Sequence, residues 1–148
     1  MGGHEFEYGN DTKIYWGDNT ATFTKYTIIP RVTSYGVITD IDMFDLDGDS
    51  ANELVITRGG GHDNYIHFYN GWYIQVITLK NKIATDASTT FIENNKYLPA
   101  VPDNQQWIPW LRVGDVDNNG KPDLFSVRCS PIQAVRWELQ NKKLIRIY

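Results

Sequence analysis

Cysteine is nearly absent: Cys129 is the only one in 148 residues, which excludes an internal disulfide and any multi-cysteine zinc site. It reads as a small buried apolar residue. It says little about compartment, because a secreted bacterial domain can lack disulfides. No apolar run approaches the roughly 18 residues that a membrane helix needs, so no membrane insertion is expected. No charged-then-apolar leader precedes the fold, so an export signal is not expected within these residues. The opening Met1-Gly2-Gly3-His4 is consistent with a cloning scar. Positive charge is also in short supply. Fourteen Lys and Arg face 18 Asp and Glu, for a net charge of −4, which argues against nucleic acid as a partner.

Helical periodicity and the common catalytic signatures are missing as well. The chain has no Gly-x-Ser-x-Gly elbow, no His-Glu-x-x-His and no Cys–His signature, so His4, His62 and His67 have no catalytic context. Gly59-Gly60-Gly61 opens no helix and is not a phosphate loop. Paired carboxylates of the glycosidase kind would have to come from Asp40, Asp42, Glu93 and Asp103, because seven of the other acids are clustered in two loops. No enzymatic activity is expected.

What is present is a globular composition, 41% hydrophobic and 14% aromatic, long enough to bury a core. It is organised as a repeat. With Asp45 aligned on Asp115, Ile41-Asp42-Met43-Phe44-Asp45 matches Leu111-Arg112-Val113-Gly114-Asp115, and Glu53-Leu54-Val55-Ile56-Thr57 matches Asp123-Leu124-Phe125-Ser126-Val127. A short aromatic strand is expected next, over 65–69 and 134–138, and a closing strand over 72–77 and 143–148. Each unit then reads strand, acidic loop, strand, turn, strand, turn, strand, with β-branched and aromatic residues in the strands. Residues 1–30 hold half a unit, with strands expected around Lys13–Asp18 and Ala21–Ile28. The domain plan is a half unit (1–30), a unit with its loop at 45–53 (31–79), a long insertion (80–109) and a unit with its loop at 115–123 (110–148). The insertion is expected to be polar from Lys80 to Ser88, with an extra hairpin over Phe91–Leu98 and a breaker at Pro99–Asp103.

Seven of the 18 acids sit in the two loops. Ca²⁺ takes six to eight oxygens, and one loop can wrap it when donors alternate along a curled backbone. Positions 1, 3, 5 and 9 are Asp115, Asp117, Asn119 and Asp123, with the Lys121 carbonyl at position 7 and Gly120 easing the turn at position 6. The other loop offers Asp45, Asp47, Asp49, Glu53 and the Ala51 carbonyl, with Ser50 at position 6 and Gly48 at position 4. Position 12, where an EF-hand carries its Glu, is Ile56 in one loop and Ser126 in the other, which rules against that motif. Asp, Asn and Gly also build ordinary polar turns. Two loops in one register and one strand context favour calcium, because clustered carboxylates repel without a cation. Two Ca²⁺ would bring the formal charge to zero.

Asp115-Val-Asp-Asn-Asn-Gly-Lys-Pro-Asp-Leu and Asp45-Leu-Asp-Gly-Asp-Ser-Ala-Asn-Glu-Leu resemble the calcium loops of FG-GAP/VCBS-type repeats, the β-propeller blades of integrin α-subunits and many secreted proteins. Ile14-Tyr15-Trp16-Gly17-Asp18 through Phe23 resembles the segment between such loops. The resemblance implies all-β, four-stranded propeller-type blades, about two and a half of them, completed by other segments or subunits. It implies two structural Ca²⁺ ions, an extracellular, cell-surface or periplasmic setting, and binding or adhesion to a glycan or protein. The alternatives are an accessory domain of a secreted polysaccharide-degrading enzyme and a self-assembling lectin. For a glycan, the candidate stacking residues are Trp72, Tyr73, Trp107 and Trp110; the same side chains could instead pack between units.

Overall fold

The computed structural model describes residues 11–32, 37–59, 71–93, 95–97, 107–128 and 133–147. The expected strand over 65–69, the breaker at 99–103, Cys129 and all three histidines lie outside them. Among the described residues the chain is all-β but for one short helix, and its strands form three antiparallel sheets, none closed on itself.

The first sheet is a pair, β1 (Lys13–Tyr15) and β2 (Tyr26–Ile28). The central sheet runs β3 (Val37–Phe44), β4 (Glu53–Gly59), β5 (Trp72–Lys80) and β6 (Ile83–Asp86) in chain order. The last sheet repeats that meander with β8 (Trp110–Gly114), β9 (Asp123–Arg128), β10 (Gln133–Gln140) and β11 (Lys143–Ile147). Both acidic loops therefore join the first strand of a four-stranded meander to its second.

The third and fourth strands of the central sheet differ from expectation. β5 pairs directly with β4, Leu54 opposite Ile77, so 72–80 is the third strand and not the closing one. The fourth is β6, inside the stretch expected to be an insertion. Two matching hairpins set this register. Asn81-Lys82 and Asn141-Lys142 each take left-handed conformations, φ 52° and 65° in one and 51° and 64° in the other, as a two-residue turn of the primed type requires. The repeat offset is thus 70 residues through β4 and β9 and 60 from β5 and β10 onward, because the β4–β5 connection is ten residues longer than its counterpart.

Other described residues of the expected insertion are also structured. Helix α1 (Ser88–Phe91) buries Phe91, and Ile92 bridges to Leu144 of the last sheet. Among the described residues of 91–98, no strand pairs with another of that segment. Instead β7 (Lys96–Tyr97) pairs with the start of β5, Trp72 opposite Tyr97, on the edge that β6 uses further along.

The central sheet is covered on both faces. Val55, Trp72, Ile74 and Val76 pack against Leu111, Leu124, Val135, Trp137 and Leu144 of the last sheet, while Leu54, Ile56 and Ile77 pack with Ile29 and Ile14 from the first. That is why every residue of β4 is buried, the apolar run Leu54-Val55-Ile56 and the polar Glu53, Thr57 and Arg58 alike. Each fully buried aliphatic side chain contributes about 1.5–3 kcal/mol. Between the sheets, the outward carboxylates of β3 cap the free edge of β8: Asp40 accepts the Leu111 N–H at 2.9 Å and Asp42 the Val113 N–H at 2.8 Å. Without them, two part-buried edge amides would lack partners. A buried polar chain braces the other end, where Arg58 Nε donates to Gln75, which donates to Asp86 and to the Pro30 carbonyl. Burial pushes the Arg58 guanidinium down to about 10.

Candidate metal centres

The two acidic loops fold alike, position by position. In the first, Asp45 accepts N–H groups from Gly48, Asp49 and Ser50, and the Asp47 carboxylate accepts from Asp49. The Ala51 N–H donates to Asp49 at 2.8 Å and the Leu46 N–H to Glu53 at 2.9 Å. In the second, Asp115 accepts from Asn119 and Gly120, Asp117 from Asn119, Asn119 from Lys121 at 2.8 Å, and Asp123 from Val116 at 3.2 Å. Short Asx-type bonds of this kind curl the backbone so that alternate side chains share one side. Positions 4 and 6 are left-handed in both loops: Gly48 (φ 80°) and Ser50 (φ 71°), Asn118 (φ 59°) and Gly120 (φ 81°). The glycine thus falls at one of the two strained positions in each loop, and at a different one.

The carboxylates converge. One oxygen from each of Asp45, Asp47 and Asp49 lies within 4.8 Å of the others, and so does one from each of Asp115, Asp117 and Asp123. Position 9 behaves differently in the two loops. Asp123 is fully buried and joins its cluster, and its Oδ1 has no hydrogen-bond partner. A buried carboxylate oxygen without a donor carries a desolvation cost that a hard cation relieves. Glu53 is buried too, but its side chain turns to the Leu46 amide and stands outside the Asp45–Asp47–Asp49 group. Its carboxyl is pushed above the usual range by burial first and then by the charges of Asp47, Asp49 and Asp45. The Ala51 and Lys121 residues occupy matching places, each donating its N–H to the side chain two residues earlier.

Sequence reasoning missed Arg136. From β10 its Nη2 lies 2.5 Å from Asp117 Oδ2, 3.5 Å from Asp123 Oδ1 and 3.7 Å from Glu138. Desolvation pushes the Asp117 carboxyl up, but the Arg136 hydrogen bond and charge outweigh it and hold the group below its usual value. Asp117 in turn raises the guanidinium. The signal was available: aligning the Asn81-Lys82 and Asn141-Lys142 hairpins sets Arg136 opposite Val76, a charged residue at an apolar core position one strand from the loop.

The loops open onto one depression of about 420 Å³, lined by Asp45, Asp47, Asp115, Gly120 and Pro122 together with Lys121 and Lys142. The four aromatic candidates do not gather there. Trp72 is 2% exposed and sits edge-on to Trp137 in the core, 5.8 Å between centroids, so it offers no face to a sugar. Trp110 is half-buried, edge-on to Phe125 and beneath Arg112. Tyr73 and Trp107 are half-buried. Of the glycosidase candidates, Asp40 and Asp42 are engaged with backbone amides of β8. Comparison with family models, with curated proteins and with solved structures finds no match.

Proposed function

We propose that the chain is a non-catalytic, calcium-stapled β-sheet module of the propeller-repeat type, acting outside the cytoplasm by binding a glycan or protein. One observation carries the calcium part. Two loops 70 residues apart fold with matching hydrogen bonds from the amides at positions 2, 5, 6 and 7 and the same left-handed positions, and each brings three acidic side chains within 4.8 Å. The donor set is all oxygen and mostly carboxylate, which suits a hard divalent ion. Asp45, Asp47 and Asp49 would hold one ion and Asp115, Asp117 and Asp123 the other, with Asn119 as a further oxygen donor. A bound ion neutralises clustered charge and pins the first strand of each meander to the second. The depression shared by the two loops supports the binding part, because an ion at either loop would stiffen its wall and offset its negative charge.

Calorimetric titration with CaCl₂ tests the reading. Calcium sites in extracellular modules have dissociation constants of about 0.1–1 mM. Heat should appear in that range and vanish with Asp45→Asn combined with Asp115→Asn. Occupying a site at 100 times its dissociation constant should stabilise the fold by about 2.7 kcal/mol. No heat and no chelator-reversible change in melting at millimolar calcium would sink the proposal. A glycan array read with calcium and with chelator then separates a sugar ligand from a protein one.

A further inference from the structure

The two loops share a backbone but not an electrostatic setting. Among the described residues, no Lys or Arg forms an ion pair with Asp45, Asp47, Asp49 or Glu53, whereas one guanidinium reaches Asp117, Asp123 and Glu138 together. The cause is a single substitution in the repeat. Val76 of β5 lies opposite Val55 and is buried between the sheets; its counterpart in β10 is Arg136, opposite Phe125 and about one-third exposed. Arg136 is held imperfectly. All three carboxylates meet the same nitrogen, Nη2, at 2.5, 3.5 and 3.7 Å, with no two-pronged pairing, and Nε is buried without a hydrogen-bond partner. A planar fork used as a point charge forgoes most of what makes arginine–carboxylate pairs persistent. Asp123 Oδ1, buried and lacking a donor, remains directed at the same place.

We propose that Arg136 is the built-in counter-ion of the second loop and is displaced when that loop takes up Ca²⁺, so that the loop at 45–53 fills first and the loop at 115–123 fills second and more weakly. This rests on the calcium reading of the loops. Without calcium the guanidinium keeps Asp117 and Asp123 from repelling each other, and the last sheet holds its shape. With calcium, cation and guanidinium compete for the same oxygens, and the free energy of displacing Arg136 is subtracted from binding. The first loop has no such competitor. The protein would therefore respond to calcium in two steps, the second releasing a mobile positive charge beside the loop.

The experiment is calcium titration of the full chain as wild type, as Arg136→Gln, and each again with Asp45→Asn and Asp49→Asn so that only the second loop reports. In the wild type two unequal events are expected, and the Asp45/Asp49 changes should remove the tighter one. Arg136→Gln should tighten the second event by about tenfold, within the usual range for coupled sites, and leave the first unmoved. Arg136→Lys, which keeps the charge without the fork, should fall between and serves if the Gln variant fails to fold. In parallel, the ¹⁵N resonance of Arg136 Nε should shift with the weaker event alone. Calcium binding with second-loop affinity unchanged or weakened in the variants, or an Arg136 resonance unmoved as that loop fills, would overturn this proposal and leave the calcium reading standing. Absence of binding in the wild type and every variant would overturn both.

Discussion

The central and last sheets are the same meander in different surroundings, and one face shows the change of surroundings most plainly. In the central sheet that face carries Leu46, Val55, Ile74 and Val76, all buried against the next sheet. The matching residues of the last sheet are Val116, Phe125, Ala134 and Arg136, of which Val116 is 51% exposed and none is fully buried. On the opposite face burial is kept in both sheets: Leu54 matches Leu124, Ile77 matches Trp137 and Leu79 matches Leu139, while buried Ile56 and Gln75 match buried Ser126 and Val135. A stacked repeat needs an apolar front and back in its middle and a polar outer face at its end. The matching face of the last sheet keeps Val116, Phe125 and Ala134 partly or largely exposed, and it holds the cation that reaches its own loop.

The sharpest way to break this comparison is to cut into the shared core. Trp137 is fully buried, and Trp137→Ala should cost about 3–5 kcal/mol. Trp110 lies on the outer face of the same sheet and is only partly buried, so Trp110→Ala should cost less, about 1–3 kcal/mol by area. Equal losses in urea melts would mean that the outer face is covered too. A second pair isolates the loops. Leu46 plugs the core from position 2 of its loop at 1% exposure, so Leu46→Ala should cost about 2–4 kcal/mol. Its counterpart change, Val116→Ala, should stay within about 0.5 kcal/mol. Comparable midpoint shifts would mean that Val116 is covered as Leu46 is.

How much of this could be read from residues alone depends on what sets each feature. The loops were legible because their donors are spaced by local chemistry, and the structure returns Asp45–Glu53 and Asp115–Asp123 at the expected strand junctions. The strands flanking them were legible for the same reason. The third and fourth strands of the central sheet were not, because a constant 70-residue offset fails once one connection is longer. Tyr65–Tyr69 then competes with Ile74–Thr78 for the same role, and only the pairing of Leu54 with Ile77 decides it. β6 escaped because Ile83-Ala84-Thr85-Asp86 has one large apolar residue, itself 64% exposed. Trp72 shows the limit for aromatics. A tryptophan beside a turn looks the same whether it faces a ligand or a neighbouring sheet, and its environment is tertiary.

A smaller effect is expected where the two sheets meet edge to edge. Asp42→Asn exchanges a charged acceptor of the Val113 amide for a neutral one and should cost about 1 kcal/mol. Asp40→Asn should cost somewhat more, because Asp40 also pairs with Arg112 at 3.1 Å. A double-mutant cycle with Arg112→Ala would give that pair's share, expected at about 0.5 kcal/mol since the arginine is half exposed. No coupling would leave the backbone amide as the only partner of consequence.

The smallest effect concerns position 6, where the loops differ by one residue. Gly120 takes φ 81° at no steric cost, while Ser50 takes φ 71° with a Cβ that crowds the backbone. A left-handed non-glycine residue costs about 1–2 kcal/mol, part of which the bond from the Ser50 amide to Asp45 offsets. Glycine is also freer in the unfolded chain, which takes back about half a kcal/mol or more. Ser50→Gly should therefore stabilise the protein by about 0.5 kcal/mol, and Gly120→Ser should destabilise it by a similar amount or more. The two changes exchange the loops' position-6 residues and should move melting in opposite directions. Movement in the same direction would mean that strain at position 6 is not what distinguishes the two turns.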